Sequence, residues 1–119
     1  MTDEQKKHSL ENTKSQMRKG SLEFCILLVI GKSKKMYTSD ILKELKKTNL
    51  IVVEGTLYPL LNRLKLEGLL DYTWLESKNG PPRKYYFITP EGHEAIKNLK
   101  TTWEELSQTI HSLIQHYHA

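Results

Sequence analysis

The chain has 119 residues, 38% of them hydrophobic, with a net charge of +4 and one cysteine. That length suits one domain with a modest core, and so little apolar material favours a core completed by a second copy. The positive balance favours a polyanionic partner, while a lone Cys25 excludes a disulfide framework or a zinc site built on several thiolates.

Residues 1–19 are polar and charged, with Leu10 and Met17 to anchor them, and read as a helical extension or as a tail that orders on a partner. Gly20-Ser21 offers a helix start. Leu22, Cys25, Ile26 and Val29 recur at helical spacing, and Leu27, Leu28 and Ile30 fill the other sides, so this helix is expected to be buried nearly all round and to end at Gly31. Cys25 fits there as a small buried hydrophobe. The apolar run Phe24 to Ile30 is too short for a membrane span of about 20 residues. It is preceded by mixed charge and lacks a cleavage-like site, so a cytoplasmic protein is expected.

After the basic turn Lys32 to Lys35, Thr38 or Ser39 can cap a second helix whose inner face is Ile41, Leu42 and Leu45. Leu50 to Val53 is a short connection that pairs briefly or plugs the core. A third helix starts at Gly55 to Thr56 and ends at Gly68, with Leu57, Leu60, Leu61 and Leu64 as its apolar stripe. Pro59 lies near its first turn and does not veto it. The opposite face carries Tyr58, Asn62 and Arg63, with Thr56 at its margin.

From Leu69 the period changes to two. Leu70, Tyr72 and Trp74 share one side of a strand, Asp71 and Thr73 the other. Asn79-Gly80 signals a turn, Pro81-Pro82 stiffens the return, and Arg83 to Ile88 forms the second strand. Thr89-Pro90-Glu91 opens a last helix. On it Ile96, Leu99, Trp103, Leu106, Ile110, Leu113 and Tyr117 repeat at steps of three and four, a heptad seam suited to pairing with another chain or with the first helix.

A leucine-backed helix with short polar outer residues, followed by a basic hairpin, suits a DNA major groove and its flanking backbone. Thr56 and Tyr58 hydroxyls can meet phosphate or a base edge, and the Asn62 amide can read adenine. Arg63 and Ser39 complete the helical candidates; Lys78, Arg83 and Lys84 supply wing charge, which adds affinity rather than discrimination. Arg83 and Lys84 alternate across the strand, so at most one of them is expected to point at the backbone. Tyr58 either contacts DNA or packs under the wing. Lys32, Lys34, Lys35, Lys46 and Lys47 either extend the phosphate track or are simply solvated.

These pieces resemble the PadR family of bacterial transcriptional regulators. The matching motifs are Glu54-Gly55-Thr56-Leu57-Tyr58-Pro59-Leu60-Leu61, Arg63-Leu64, Glu67-Gly68-Leu69-Leu70, Gly80-Pro81-Pro82-Arg83-Lys84-Tyr85-Tyr86 and Thr89-Pro90-Glu91-Gly92. The resemblance spans residues 17–117 and implies a dimeric repressor joined through its last helix, in the short-tailed branch of the family. It places Thr56 and Tyr58 near DNA phosphates. It also places Trp103 where multidrug-sensing members stack flat aromatic ligands between subunits. Charged Lys100, one turn before Trp103, and Val53, where many members carry a small polar residue, depart from that pattern. Interface core is the plainer role for a heptad tryptophan.

His111, His116 and His118 do not share one helical face and read as solvated, so no metal is expected. No phosphate loop or nucleophile motif suggests an enzyme or a cofactor. The expected fold is mainly α with a small β wing. It divides into a polar extension (1–19), a winged helix-turn-helix DNA-binding domain (20–89) and a dimerisation helix (90–119). The expected function is a homodimeric DNA-binding repressor on a palindromic operator, released by a signal such as a small aromatic effector at Trp103, with Ile96, Leu99, Trp103, Leu106, Ile110 and Leu113 as the dimer seam. A winged-helix protein-interaction module without DNA binding is the alternative.

Overall fold

A computed structural model describes residues 1–50 and 52–118. In chain order the elements are α1 (Asp3–Gly31), β1 (Met36–Tyr37), α2 (Thr38–Lys47), α3 (Glu54–Leu66), β2 (Leu70–Ser77), β3 (Gly80–Ile88) and α4 (Pro90–Gln115). The strands form one antiparallel sheet in the order β1-β3-β2.

α1 is longer than the sequence suggests. Thr2 and Gln5 form a reciprocal capping box, with Gln5 N–H donating to Thr2 Oγ1 at 3.1 Å and Thr2 N–H to Gln5 Oε1 at 2.8 Å. Acidic Asp3 and Glu4 sit in the positive first turn. Gly20 therefore lies mid-helix rather than at a start, a position where glycine costs about 1 kcal/mol but does not stop propagation. Burial is one-sided instead of complete. Ile26, Leu27, Val29 and Ile30 are buried, Cys25 is half-buried, and Leu28 faces solvent because no element covers that side. Residues 3–20 are exposed throughout.

Neither Thr38 nor Ser39 caps α2. Thr38 is buried, and the Asp40 carboxylate reaches back to accept from Tyr37 N–H at 3.2 Å. Both short helices stop on a left-handed residue, Asn49 after α2 and Gly68 after α3. In each, the next amide closes back on the helix: Leu50 N–H donates to the Leu45 carbonyl and Leu69 N–H to the Leu64 carbonyl, both at 3.0 Å. The expectation for Leu50–Val53 falls partly on Ile51, which lies outside the described residues; Leu50 and Val52 pack against the core without forming a strand. The strand that pairs is β1, hidden beside the lysine-rich turn.

The core gathers Ile26, Leu27 and Ile30 from α1, Ile41 and Leu45 from α2, Leu57, Leu61 and Leu64 from α3, and Leu70, Tyr86 and Ile88 from the sheet. Burying each large aliphatic side chain contributes about 1.5–3 kcal/mol, which fixes which way α3 faces. The hairpin turn occupies Lys78 and Asn79, with Ser77 opposite Gly80 and an irregularity after Leu75. The Asn-Gly pair thus marks the turn one position late, and neither residue adopts positive φ.

α4 docks through its first turn. Thr89 Oγ1 accepts from Gly92 N–H at 3.0 Å and donates to the Gly68 carbonyl at 2.6 Å, while Thr89 N–H donates to the Leu69 carbonyl at 3.2 Å. The start of α4 is thereby tied to the turn between α3 and β2.

Candidate nucleic-acid interface

α3 turns Leu57, Leu61 and Leu64 into the core and leaves Thr56, Tyr58 and Asn62 in solvent. That is the division expected from the leucine stripe. Val53, its N-cap, has no polar side chain to offer the first turn, and Pro59 withholds the donor that would reach the Gly55 carbonyl. Ser39 on α2 is also exposed.

Arg63 is placed differently from expectation. Its Nη1 lies 2.6 Å from Glu23 Oε1 of α1, and its Nε lies 3.3 Å from Glu67 Oε1. Residue 63 follows 62 by 100° around the helix, which carries it towards α1 and out of the polar strip. It braces α3 on α1 through these ion pairs while its side chain stays largely exposed.

Wing chemistry is set by register. Leu70 faces Ile88, Tyr72 faces Tyr86 and Trp74 faces Lys84 across the hairpin, so these pairs share the core-side face. Lys84 Nζ sits 4.4 Å from the Tyr72 ring centre and 5.3 Å from that of Trp74. Arg83 points the other way, with Cζ 4.7 Å from the Tyr37 ring. Each cation rests on an aromatic face, which fixes where its charge is presented. Lys78, at the turn, is exposed.

Tyr58 is 45% exposed, so it is no core residue. It nevertheless lies near the wing base. Burial pushes the Tyr86 phenol above the ordinary tyrosine value, and the neighbouring Tyr58 and Tyr72 phenols push in the same direction.

The lysine track is shorter than its count implies. Lys32 and Lys47 donate to the two oxygens of Glu44 at 2.7 and 3.0 Å, which holds that carboxyl below its usual range. Lys34, Lys35 and Lys46 remain exposed.

The seam on α4 divides in two. Ile96 and Leu99 are half-buried, with part of each side chain packed against the chain's own core. Trp103 (48% exposed), Leu106, Ile110 and Leu113 continue the row into solvent. Tyr117 lies beyond the helix end. A recess of about 720 Å³ opens between α1 and the start of α3, with Leu22, Val52 and Leu60 in its wall and Arg18 and Lys19 at its edge. It does not include Trp103. His111 pairs with Gln115 and His116 with the Ser112 carbonyl, so both are engaged locally along α4.

Three helices followed by a hairpin packed on the third define a winged helix-turn-helix, here with its first helix extended at the amino end and a fourth, long helix added after the wing. The chain belongs to the PadR-like family of transcriptional regulators, whose sequence pattern matches residues 26–98. A solved PadR-like transcription factor from Bacteroides fragilis is 54% identical, covering 86% of this chain and 98% of that one with a TM-score of 0.73. A PadR-like regulator from Bacillus cereus is 40% identical over 86% of this chain and 99% of its own, with a TM-score of 0.75. A transcriptional regulator of Mycobacterium tuberculosis is 35% identical over 68 residues, which is 57% of this chain and 63% of that protein. Among the described residues no helix is long and apolar enough to cross a membrane.

Proposed function

We propose that this transcriptional regulator acts in the cytoplasm as a homodimeric, sequence-specific DNA-binding repressor. The carrying observation is the exposed strip Thr56, Tyr58 and Asn62 on α3, backed by buried leucines and flanked by a basic wing. Asn62 is the base reader of this set, Thr56 and Tyr58 clamp phosphate, and Lys78, Lys84 and Arg83 neutralise the flank. Ser39, on α2, serves the crossing backbone.

A single helix of 13 residues reads too few base pairs to specify an operator alone. Two copies at successive major grooves, about 34 Å apart, read a palindrome. The exposed row Trp103, Leu106, Ile110 and Leu113 supports pairing through the distal half of α4, because water-facing apolar residues in heptad spacing are stabilised by a matching helix. A small aromatic effector stacking on Trp103 would act by changing the spacing of the two readers.

The test is binding to a duplex from the gene's own upstream region across a salt series. Affinity should fall steeply with salt and exceed that for a scrambled duplex. Equal affinity for both duplexes would remove the repressor reading. Tyr58→Ala should weaken the specific complex while leaving the melting temperature near that of the parent; a large loss of thermal stability would reassign Tyr58 to packing under the wing.

A further inference from the structure

Trp74 is 59% exposed on the core-side face of the wing, outside the basic set Lys78, Arg83 and Lys84. An exposed large aromatic that continues a row of rings and is rimmed by cations marks a contact surface. Its surroundings are ordered. Tyr72 meets Trp74 edge-on at 6.0 Å and Tyr86 at 5.8 Å. The aromatic row thus runs along the hairpin from buried Tyr86 to exposed Trp74. Lys84 lies over its two outer rings, and Lys65 Nζ stands 5.4 Å from Tyr72.

We infer that this face is a second contact surface for duplex DNA, in which Trp74 packs on the deoxyribose edge of the flanking backbone while Lys84, steadied between Tyr72 and Trp74, meets the adjacent phosphate. The inference rests on the DNA-binding reading and extends it to a residue outside the basic set. Charge selects the occupant. Lys84 and Lys65 give the row a cationic edge, and the acidic Asp71 at its margin is held by Lys65 at 4.0 Å. Position points the same way, because β2, which carries Trp74, packs on α3 beside its exposed strip. An indole against sugar has no base edge to read, so the contact strengthens binding to any duplex equally.

The chain has two tryptophans, so Trp103→Phe leaves Trp74 as the sole indole reporter. This variant is titrated with the upstream duplex and with a scrambled one. Acrylamide quenching of the indole and complex formation by gel shift are read from the same samples. Trp74 should become protected in step with the shifted fraction on both duplexes. In the parent chain, Trp74→Phe should abolish the DNA-dependent part of the protection. Trp74→Ala should weaken both duplexes alike, by about five- to twenty-fold, at an unchanged salt slope. Lys84→Met should make that slope shallower by about 0.9. A shifted complex with unprotected Trp74, or a Trp74→Ala loss confined to one duplex, overturns the inference and leaves DNA binding intact. Absence of any shift removes the DNA-binding reading and this inference together.

Discussion

Gly92 offers the sharpest test of how α4 is set against the winged domain. Its amide is bonded to Thr89 Oγ1, and a methyl group at its Cα would overlap the Leu69 carbonyl oxygen and come within 2.7 Å of Ile88 Cγ2. Relief by moving the carbonyl is obstructed, because that oxygen accepts from Thr89 N–H in the contact that docks α4. Overpacking of this kind costs about 1–3 kcal/mol. Loss of the Thr89 hydrogen bond adds about 1 kcal/mol, and alanine's better helix propensity returns about 1 kcal/mol. Gly92→Ala should therefore destabilise by about 1–3 kcal/mol and lower the melting temperature by about 5–15 °C. The measurement is thermal and urea unfolding by circular dichroism at one fixed protomer concentration, since assembly shifts the apparent midpoint. Gly20→Ala is the control. It lies mid-helix with nothing within 4 Å of a new methyl, and should gain about 0.5–1 kcal/mol. If Gly92→Ala melts at or above the parent, matching Gly20→Ala, the close approach to Leu69 does not exist in solution.

Leu106→Glu places a charge in the exposed apolar row and should halve the sedimentation mass; an unchanged mass would move the dimer contact elsewhere. Arg63→Gln should cost no more than about 1 kcal/mol, as its ion pairs are largely solvent-exposed. It should also leave the salt slope of DNA binding unaltered, because Arg63 is already neutralised by Glu23 and Glu67. A slope shallower by about 1 would mean that it swings onto phosphate. Tyr86 links pH to stability. Its folded value is raised by burial, so the neutral phenol's contribution is complete below the unfolded value near pH 10 and is lost as pH rises through the folded one. The melting temperature of the parent should fall more steeply above about pH 10 than that of Tyr86→Phe; parallel curves would refute the assignment.

Periodicity exposed much of this architecture. Leucines at three- and four-residue steps located α3 and its outward strip, and strict alternation from Leu70 predicted which wing residues share a face. Heptad spacing on α4 revealed an apolar stripe but not what covers it, so Ile96 and Leu99, which pack on the chain's own core, were indistinguishable from Trp103 and Leu106. The ion pair of Arg63 with α1 was hidden for a related reason. Its partner Glu23 lies forty positions earlier, and helical phase alone places a residue near an edge without naming its neighbour. β1 has two residues beside a lysine-rich turn, too few for any period to register. Likewise Gly20 looked like punctuation, whereas the capping box at Thr2 and Gln5 sets where α1 begins.

The anchorage of α4 at Thr89 and Gly92 has a mechanical consequence. From Pro90 to Gln115 the helix is 26 residues, about 39 Å at 1.5 Å per residue. Pivoted at the end held by the Leu69 carbonyl, a tilt of about 5° carries the far end through about 3.4 Å, close to the axial rise of one base pair. If the far ends of two such levers are joined, an effector there need not reshape either reading head. A few degrees at the pivot put the two heads out of step by a whole base pair.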